Sequence, residues 1–470
     1  MITPIFFRLG RCLGLKSRQD ARIAAAALCL SACSVASASD QPAATLRDQP
    51  VVTLSEQQTD SLAHSFKAVD LDGDRFRGYG QAYRDSIQRI VDMFYYDQFR
   101  HFQDPAAPYF LFMSKDASLA MGIGGCVRMR GYYDWDGAIP ASGFAPYLIP
   151  MNPDPAHDRN FGTTPAGSTL FFRVIGRNKS LGDYQLYIEA NFNGYQGRDF
   201  HLKKAYAVIN DFTIGYANSS FSDPGALPPT VDAQGPANKM SPTSVLVRWM
   251  KSLDRRSRWT LALSAETPST SIAATDGVTR KCDDWLPDLA GFIQYQWSRS
   301  QHVRLAGVLR TLTYLDCATE RRHSKLGFGL MATTVFSPHP SWTLYGGING
   351  GRGFESLGSD LMIGSYDLVP VADDPSRMYT PWGMGWHVAV QYNFRPNIFA
   401  SAGWSQARYM PRAGVSPDEY KWGNVFAVNA FWNLTARIQT GVEFDLGSRR
   451  NMDGRQRWAR RVGLMCQFSF

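Results

Sequence analysis

Apolar and polar residues alternate along most of the chain after about Lys115. A period of two is typical of β-strands, because successive side chains point to opposite faces of a sheet. The alternation comes in runs separated by turn-forming residues, and it predicts about sixteen strands. These lie near residues 118–135, 168–177, 183–194, 199–209, 211–218, 242–252, 257–267, 288–298, 301–315, 323–337, 341–352, 382–394, 397–410, 419–433, 435–448 and 457–470.

The last predicted strand has one strongly apolar face. That face consists of Val462, Leu464, Cys466, Phe468 and Phe470. The ending resembles the C-terminal assembly signal of bacterial outer-membrane barrels. Because lipid offers no hydrogen bonds to an open sheet edge, strands can cross a membrane only as a closed barrel. The pattern therefore predicts an all-β fold, a transmembrane antiparallel β-barrel in the outer membrane.

The connections between the predicted strands alternate in length. Short ones lie at 178–182, 210, 253–256, 299–300, 338–340, 395–396 and 434, and the alternate connections include long ones near 136–167, 219–241, 268–287 and 353–381. Outer-membrane barrels have short periplasmic turns and longer outer loops. The parity therefore predicts that the first strand runs outward and that Phe470 lies on the periplasmic side.

The N-terminal region is organised differently. Residues 1–38 combine a cationic stretch, an apolar run and the small-residue pattern Ala36-Ser37-Ala38, which predicts a secretory signal peptide. The alternative is a lipoprotein signal at Leu30-Ser31-Ala32-Cys33 that would acylate Cys33. Residues 39–116 then form an N-terminal periplasmic segment, and residues 117–470 form the barrel.

Within the N-terminal segment, a short amphipathic helix is predicted near residues 80–101. It could pack at the periplasmic mouth, enter the barrel or join partner helices. Asp70-Leu71-Asp72-Gly73-Asp74 faintly resembles a calcium loop, but the glycine comes too early and no glutamate closes the loop. A solvated turn is the favoured interpretation, and we predict neither a metal nor a cofactor.

Composition supports a barrel over a helical membrane protein. Hydrophobic residues make up 44% of the chain, yet no run after the leader approaches the ~20 apolar residues of a spanning helix. Aromatic residues make up 13%, which suits two interfacial girdles. The net charge is +8, and half of it lies in the predicted leader. This charge is too modest to indicate a nucleic-acid partner.

Alternation also predicts which side chains face the lumen. The inward positions are polar and rich in cations: Arg128, Arg130, Arg173, Arg177, Lys203, Arg248, Arg304, Arg310, Arg437 and Arg461. As a pore lining, this set would favour small anionic solutes, since guanidinium groups bind carboxylates well. The alternative is that several of them only pair with acidic wall residues, namely Glu189, Glu266, Glu443 and Asp445.

The third outer loop, residues 219–241, is rich in proline and glycine. Such a loop can fold back into a lumen, and general porins narrow their channel with their third loop. The predicted constriction residues are Phe221, Asp223, Asp232 and Gln234. The alternative is an exposed loop that covers the outer mouth.

Several segments together resemble the DcaP-like family of outer-membrane porins. They are Ser220-Phe221-Ser222-Asp223 and Asp232-Ala233-Gln234-Gly235-Pro236 of the third loop, Leu202-Lys203-Lys204-Ala205-Tyr206, Gly441-Val442-Glu443-Phe444 and the terminal Phe470. The resemblance implies a sixteen-stranded homotrimeric channel for small, often anionic solutes such as dicarboxylates. The chain departs from the family before residue 78, where it has no sustained heptads for a coiled coil.

Two cysteines, Cys282 and Cys317, fall in adjacent predicted outer loops, which makes a disulfide between them a candidate in an oxidising compartment. Cys126 would face the lumen and Cys466 the lipid, so these two are not expected to pair.

Three classes of function fit a barrel. We favour a passive diffusion channel, because about sixteen strands leave a water-filled lumen. A barrel enzyme would need a nucleophile or acid with a histidine, but the eight histidines form no such motif, and we expect no enzymatic activity. The remaining alternative is a plugged structural or adhesion barrel.

Overall fold

The computed structural model describes residues 51–52, 110–113, 119–135, 139, 142–152, 154–178, 182–194, 197–254, 257–298, 300–358, 360–435 and 437–470. The predicted signal peptide and the predicted helix near 80–101 lie outside these residues. So does most of the predicted N-terminal segment. The fold that follows is that of the described part of the chain.

Sixteen antiparallel strands form a closed barrel, as the alternation predicts. All sixteen coincide with predicted strands to within a few residues. They are β1 (Leu119–Trp135), β2 (Thr169–Asn178), β3 (Gly182–Asn193), β4 (Asp199–Ile209), β5 (Phe212–Asn218), β6 (Thr243–Ser252), β7 (Trp259–Glu266), β8 (Asp288–Gln296), β9 (His302–Asp316), β10 (Arg321–His339), β11 (Trp342–Arg352), β12 (Trp382–Arg395), β13 (Ile398–Met410), β14 (Tyr420–Asn433), β15 (Ile438–Asn451) and β16 (Gln456–Ser469).

Shorter elements accompany the barrel strands. They are the strands Val51–Val52, Phe110–Met113, Asn160–Thr164, Thr279–Lys281, Val369–Val371 and Asp374–Tyr379, and the 3-10 turns Pro146–Leu148, Pro155–His157, Pro224–Ala226, Glu355–Leu357 and Leu361–Ile363. Most of them lie within the long connections, so these loops have ordered structure of their own.

The ring closes between β16 and β1, as predicted. The register runs from Arg460 opposite Trp135 to Ser469 opposite Cys126. Beyond it, the backbones of Gly125 and Phe470 exchange hydrogen bonds of 2.8 and 3.0 Å. Phe110–Met113 pairs with the next part of β1. The edge of β1 is therefore covered along most of its length, which removes the open edge that lipid could not satisfy.

The outer face of the barrel is apolar, and the alternating inner positions are polar. Leu186, Ile188, Leu263 and Leu330 are exposed on the outside at 44%, 50%, 55% and 63%. Aromatic pairs near the short turns form part of the predicted girdle, for example Trp259 with Tyr295, whose ring centres are 4.8 Å apart. This is the surface that a membrane requires of a barrel. In the part of the chain that the structure describes, no helix is long and apolar enough to cross a membrane.

Short connections lie at one end of the barrel, here called the turn end, and long ones lie at the other, the loop end. The long loops pack together there around a buried apolar core. The core consists of Ile139, Phe144, Ile149, Ala237, Leu361, Tyr366, Val369, Tyr379, Ala407, Tyr409, Tyr420, Val425 and Ala459. Loops from three connections therefore share one core with the wall strands β13 to β16.

A buried carboxyl group lies inside this loop core. Asp360 accepts hydrogen bonds from the Tyr147 backbone N–H at 2.9 Å and from the Tyr420 hydroxyl. Burial raises the pKa of Asp360 to about 6, although these hydrogen bonds and nearby Arg449 oppose the change. The core therefore favours the neutral form of this carboxyl more than water does.

The candidate disulfide is not formed, since Cys282 and Cys317 are both free. Thr279–Lys281 pairs with the end of β9 so that Lys281 lies opposite Tyr314. Cys282 follows this short strand, whereas the N–H of Cys317 donates to Val278 O, just before the strand, at 2.9 Å. The two cysteines are thus offset by four residues along one ladder, or about 13 Å, whereas a disulfide needs Cα atoms within about 7 Å.

Candidate functional site

The third loop, residues 219–242 between β5 and β6, lies along the inner wall of the barrel and not over its mouth. Wall side chains hold its backbone at successive points. Arg304 of β9 donates to Ser222 O at 2.6 Å, Asn429 of β14 donates to Pro229 O at 2.9 Å, and Ser405 of β13 accepts from Ala237 N at 2.9 Å. Glu443 of β15 accepts from the N–H groups of Val231 and Asp232 at 2.9 and 2.6 Å. The loop therefore crosses from β9 to β15 inside the barrel.

Asp223 is the most strongly held side chain of this loop. Its carboxylate accepts hydrogen bonds from His302 of β9 at 2.9 Å and Thr333 of β10 at 2.5 Å. Arg304 forms an ion pair with it at 3.5 Å. Burial alone would raise the pKa of Asp223, but Arg304 and His302 more than offset this and hold the pKa well below its usual range. Asp223 therefore acts as a buried, charged anchor.

Phe221 is a second anchor beside Asp223. It is fully buried and meets Phe354 edge-on, with 6.2 Å between ring centres. Gly329 of β10 lies beneath the same ring, where a Cβ atom would stand 2.9 Å from Phe221. The prediction that Phe221 and Asp223 line the constriction is thus corrected: both side chains are packed into the wall.

Asp232 and Gln234 lie further along the loop and are only half-buried. Asp232 accepts from the backbone N–H groups of Phe144 and Gln234 at 3.0 and 2.7 Å, and from Arg461 at 3.3 Å. Asp232 therefore joins the third loop to the first loop and to β16. Of the four predicted constriction residues, Gln234 remains half-buried, whereas the side chain of Asp232 is only 8% exposed.

Five predicted pore-lining arginines are closed off from the lumen. Arg173, Arg248, Arg304, Arg310 and Arg461 are each 1% exposed or less. Some of them are tied to loop or strand-end carboxylates. Arg310 pairs with Asp288 and Asp367 at 2.9 and 3.1 Å, and Arg461 pairs with Asp134 at 2.6 Å and with Asp232.

These five arginines face inward as alternation predicts, but burial prevents them from lining an open passage. The ion pairs described for Arg304, Arg310 and Arg461 use carboxylates that were not among the acidic residues considered in the sequence, namely Asp134, Asp223, Asp232, Asp288 and Asp367. Glu266, which was considered, interacts electrostatically with Arg248.

Two other predicted cations, Arg128 and Lys203, are better placed to meet a solute. Arg128 is half-buried and donates to Gln467 at 2.8 Å. Arg130 is 6% exposed and donates to Ala166 O at 2.9 Å. Lys203 has a side chain that is 41% exposed and pairs with Glu189 at 2.6 Å. It lies at a β-bulge between β3 and β4, an irregularity that alternation does not predict. Arg437 is half-buried beside the turn end, and the side chain of Arg177 lies outside the described part of the structure.

The structure adds Lys239, which the sequence reasoning missed. Its ammonium donates to Ala233 O and Gln234 O, both at 3.1 Å. Burial lowers the pKa of Lys239; Asp232 opposes the change, and Lys203 and Arg130 add to it. Lys239 thus interacts electrostatically with Lys203 and Arg130 of the wall. We call Arg128, Arg130, Lys203 and Lys239 the cationic cluster.

No sequence signal marks Lys239, because a loop has no alternation from which to assign a direction. Arg130 of β1 donates to Val231 O of the third loop at 3.5 Å, although β1 is far from that loop in sequence. Among the described residues, no group of three or more His, Cys, Asp or Glu side chains could hold a metal ion.

Solved structures similar to the chain include an outer membrane channel and a porin. The outer membrane channel DcaP of Acinetobacter baumannii has a TM-score of 0.65 and 19% identity, over 76% of this chain and 99% of that chain. An anion-selective porin from Comamonas acidovorans has a TM-score of 0.50 and 9% identity, over 75% and 100% of the two chains. No protein-family model and no curated protein sequence matches. The resemblance to DcaP-like porins is therefore confirmed at the level of the fold, and the chain is a barrel of the outer-membrane porin type.

Proposed function

We propose that this barrel is a passive diffusion channel of the bacterial outer membrane for small hydrophilic solutes, with a preference for anions such as dicarboxylates. The fold supports the channel, since the similar structures are described as an outer membrane channel and as an anion-selective porin. The preference for anions rests on this chain's own residues.

The cationic cluster is the observation that carries the proposal. Arg128, Arg130 and Lys239 donate their described hydrogen bonds to amide or carbonyl oxygens, so no carboxylate bonded to them in the described structure neutralises their charge. Of the nearby acids, Glu189 pairs with Lys203, Asp232 pairs with Arg461, and Glu443 accepts from the N–H groups of Val231 and Asp232. The third loop and the wall of β1 therefore present excess positive charge to one another, and a confined positive field concentrates anions.

A dicarboxylate suits this arrangement better than a monocarboxylate. Its two charged groups can interact with cations from separate elements at once, one with Lys239 on the loop and the other with Arg128 on β1. A guanidinium can bind a carboxylate in a bidentate manner, whereas the lysine ammonium acts as a point charge.

Reversal potentials in planar bilayers under a salt gradient test the anion preference. We expect the unmutated channel to favour chloride over potassium. Lys239→Gln and Arg128→Gln should each lower the anion-to-cation permeability ratio about fivefold, as the loss of about 1 kcal/mol of Coulomb attraction predicts.

Lys251→Gln is the matched control for these variants, because Lys251 is exposed at the turn end of β6 and pairs across the sheet with Leu261 on the outer face. This control should leave the ratio unchanged. A cation preference in the unmutated protein, or equal ratios in all variants, would contradict the proposal.

The loop core gives one reason to consider a second candidate, a plugged structural or adhesion barrel. Thirteen buried apolar residues from loops and wall pack at the loop end, so part of the lumen is filled there. Purified protein that gives no discrete conductance steps in planar bilayers would favour this candidate. Discrete steps would favour the channel.

We also propose that the protein assembles as a homotrimer in outer-membrane lipid and has no catalytic activity. The histidines that face inward support the second point. His387 is buried and holds the third loop through Asn238 and Ala226 O, and His201 is exposed with Asp199 at 3.8 Å. Native mass spectrometry of the detergent-solubilised protein tests the trimer, for which a mass of one subunit is the contrary result.

A further inference from the structure

Four arginines on the outer face of the barrel lie at the loop end. Arg352 ends β11, Arg408 and Arg450 lie near the loop ends of β13 and β15, and Arg460 lies in the loop-end half of β16. Cross-strand pairing fixes their direction, because directly opposed residues share a face. Arg352 pairs with Trp382, which is 41% exposed on the outside. We call these four residues the loop-end arginine patch.

The rows that contain the patch have no acidic residue. One row runs Phe328, Arg352, Trp382 and Met410 across β10 to β13. The next runs Met384, Arg408, Trp422, Arg450 and Gln456 across β12 to β16. A third contains Leu446, Arg460 and Trp135.

Tryptophan rings support two of the arginines. The Arg352 guanidinium lies 4.4 Å from the ring centre of Trp382, and that of Arg450 lies 6.0 Å from the ring centre of Trp422. Aromatic side chains concentrate where a barrel leaves the hydrocarbon and meets the polar headgroups. A guanidinium stacked on such a ring keeps its planar edge available for an oxyanion.

An apolar surface continues directly from the patch toward the turn end on the same strands. It includes Ile348, Val388, Trp404, Phe426 and Val442, which are all 40% exposed or more. A ligand for the whole surface must therefore carry an anionic group immediately above hydrocarbon chains. A lipid with headgroup phosphates has this construction.

We propose that the loop-end arginine patch binds the phosphate groups of a phosphorylated glycolipid in the outer leaflet. Guanidinium groups form charge-assisted, bidentate hydrogen bonds to phosphate. A second copy of the chain is the alternative occupant, and the test below separates it from a lipid. The inference rests on the proposed outer-membrane location, and it is independent of channel activity.

The test compares lipid binding to the full chain in detergent, measured by native mass spectrometry with diphosphorylated lipid A and with dephosphorylated lipid A. The unmutated protein should retain the diphosphorylated form selectively. Arg408→Gln combined with Arg450→Gln should weaken this binding about 25-fold, at about fivefold for each arginine near a lipid headgroup. The control, Lys251→Gln combined with Arg395→Gln, removes two exposed cations at the turn end and should leave binding unchanged.

Equal retention by the double variant, or equal binding of both lipids to the unmutated protein, would overturn the proposal. A change in subunit number without a change in lipid binding would overturn it too, and would assign the patch to contacts between copies. If the double variant does not fold, the salt dependence of binding to the unmutated protein decides, because phosphate contacts must weaken as salt rises. Bilayer conductance of the same preparations tests the channel separately, so either proposal can fail alone.

Discussion

Replacing Asp223 by asparagine should release the third loop from the wall. The substitution keeps the shape of the side chain but removes its charge, which leaves Arg304 buried without its ionic partner. Both residues are essentially inaccessible to solvent. Breaking a buried pair in this way costs about 3–5 kcal/mol. Asp223 joins the first part of the third loop to the wall through His302, Thr333 and Arg304. We therefore expect Asp223→Asn to destabilise the fold and to loosen this part of the loop.

Two measurements report these effects. Urea unfolding of the detergent-solubilised barrel should show a loss of about 3–5 kcal/mol near neutral pH, and single-channel recordings should show larger or noisier current. The stability difference should also depend on pH. The folded protein holds the pKa of Asp223 below its usual range. The ionised carboxylate therefore contributes fully to the free energy of unfolding above the ordinary pKa of about 4, and this contribution declines as the pH falls below that value. The asparagine variant should lack this acid-dependent part.

Thr333→Val is the graded comparison, since it removes one hydrogen bond to Asp223 and leaves the charges in place. It should cost about 1 kcal/mol. Asp154→Asn in the exposed first loop should have little effect. If Asp223→Asn unfolds at the same urea concentration as the unmutated protein and conducts identically, the loop is not held by this pair and the reasoning is refuted.

Further outcomes test the other anchors. Phe221→Ala should destabilise the barrel by about 3–5 kcal/mol in the same urea assay, because it opens a cavity beside Phe354, and a loss below 1 kcal/mol would contradict full burial. Asp360→Asn should stabilise the protein by about 3 kcal/mol at pH 7 and leave its stability unchanged at pH 4. The reason is that a folded pKa of about 6 makes the stability of the unmutated protein fall as the pH rises from 4 to 6. Parallel curves of stability against pH for the two proteins would be the contrary result. Cys282 and Cys317 should both react with maleimide in the unfolded, unreduced protein, whereas protection that only a reductant removes would indicate a disulfide.

The strands were predictable from the sequence, because one residue in two must meet lipid and the other must not. That constraint acts on every barrel strand, and it even gives the closing partner of β16. It also explains why the inward direction of Arg304 and Arg461 could be predicted, whereas their partners could not. The partners lie on loops: Asp223 is 79 residues from His302 and 110 from Thr333 in sequence.

Loop contacts of this kind have no periodic signature. Alternation says which face a side chain takes, but it does not say what fills the space in front of it. This is why Phe221 and Asp223 were predicted as lining and are found as buried anchors. For the same reason the sequence could not predict Lys239, which lies in a loop of 24 residues and interacts electrostatically with Lys203 and Arg130.

The way in which the wall holds the third loop has a consequence for how such a protein can evolve. The wall recognises the loop largely through its main chain: Ser222 O, Ala226 O, Pro229 O and Asn238 O accept from wall side chains, and Val231 N donates to one. Main-chain groups are the same in almost every residue, so substitutions at many loop positions would preserve the path of the loop. Selection could therefore change the chemistry that a passing solute meets while the barrel keeps its architecture. Asp223 and Phe221, which are held by their side chains, would be the fixed points of that variation.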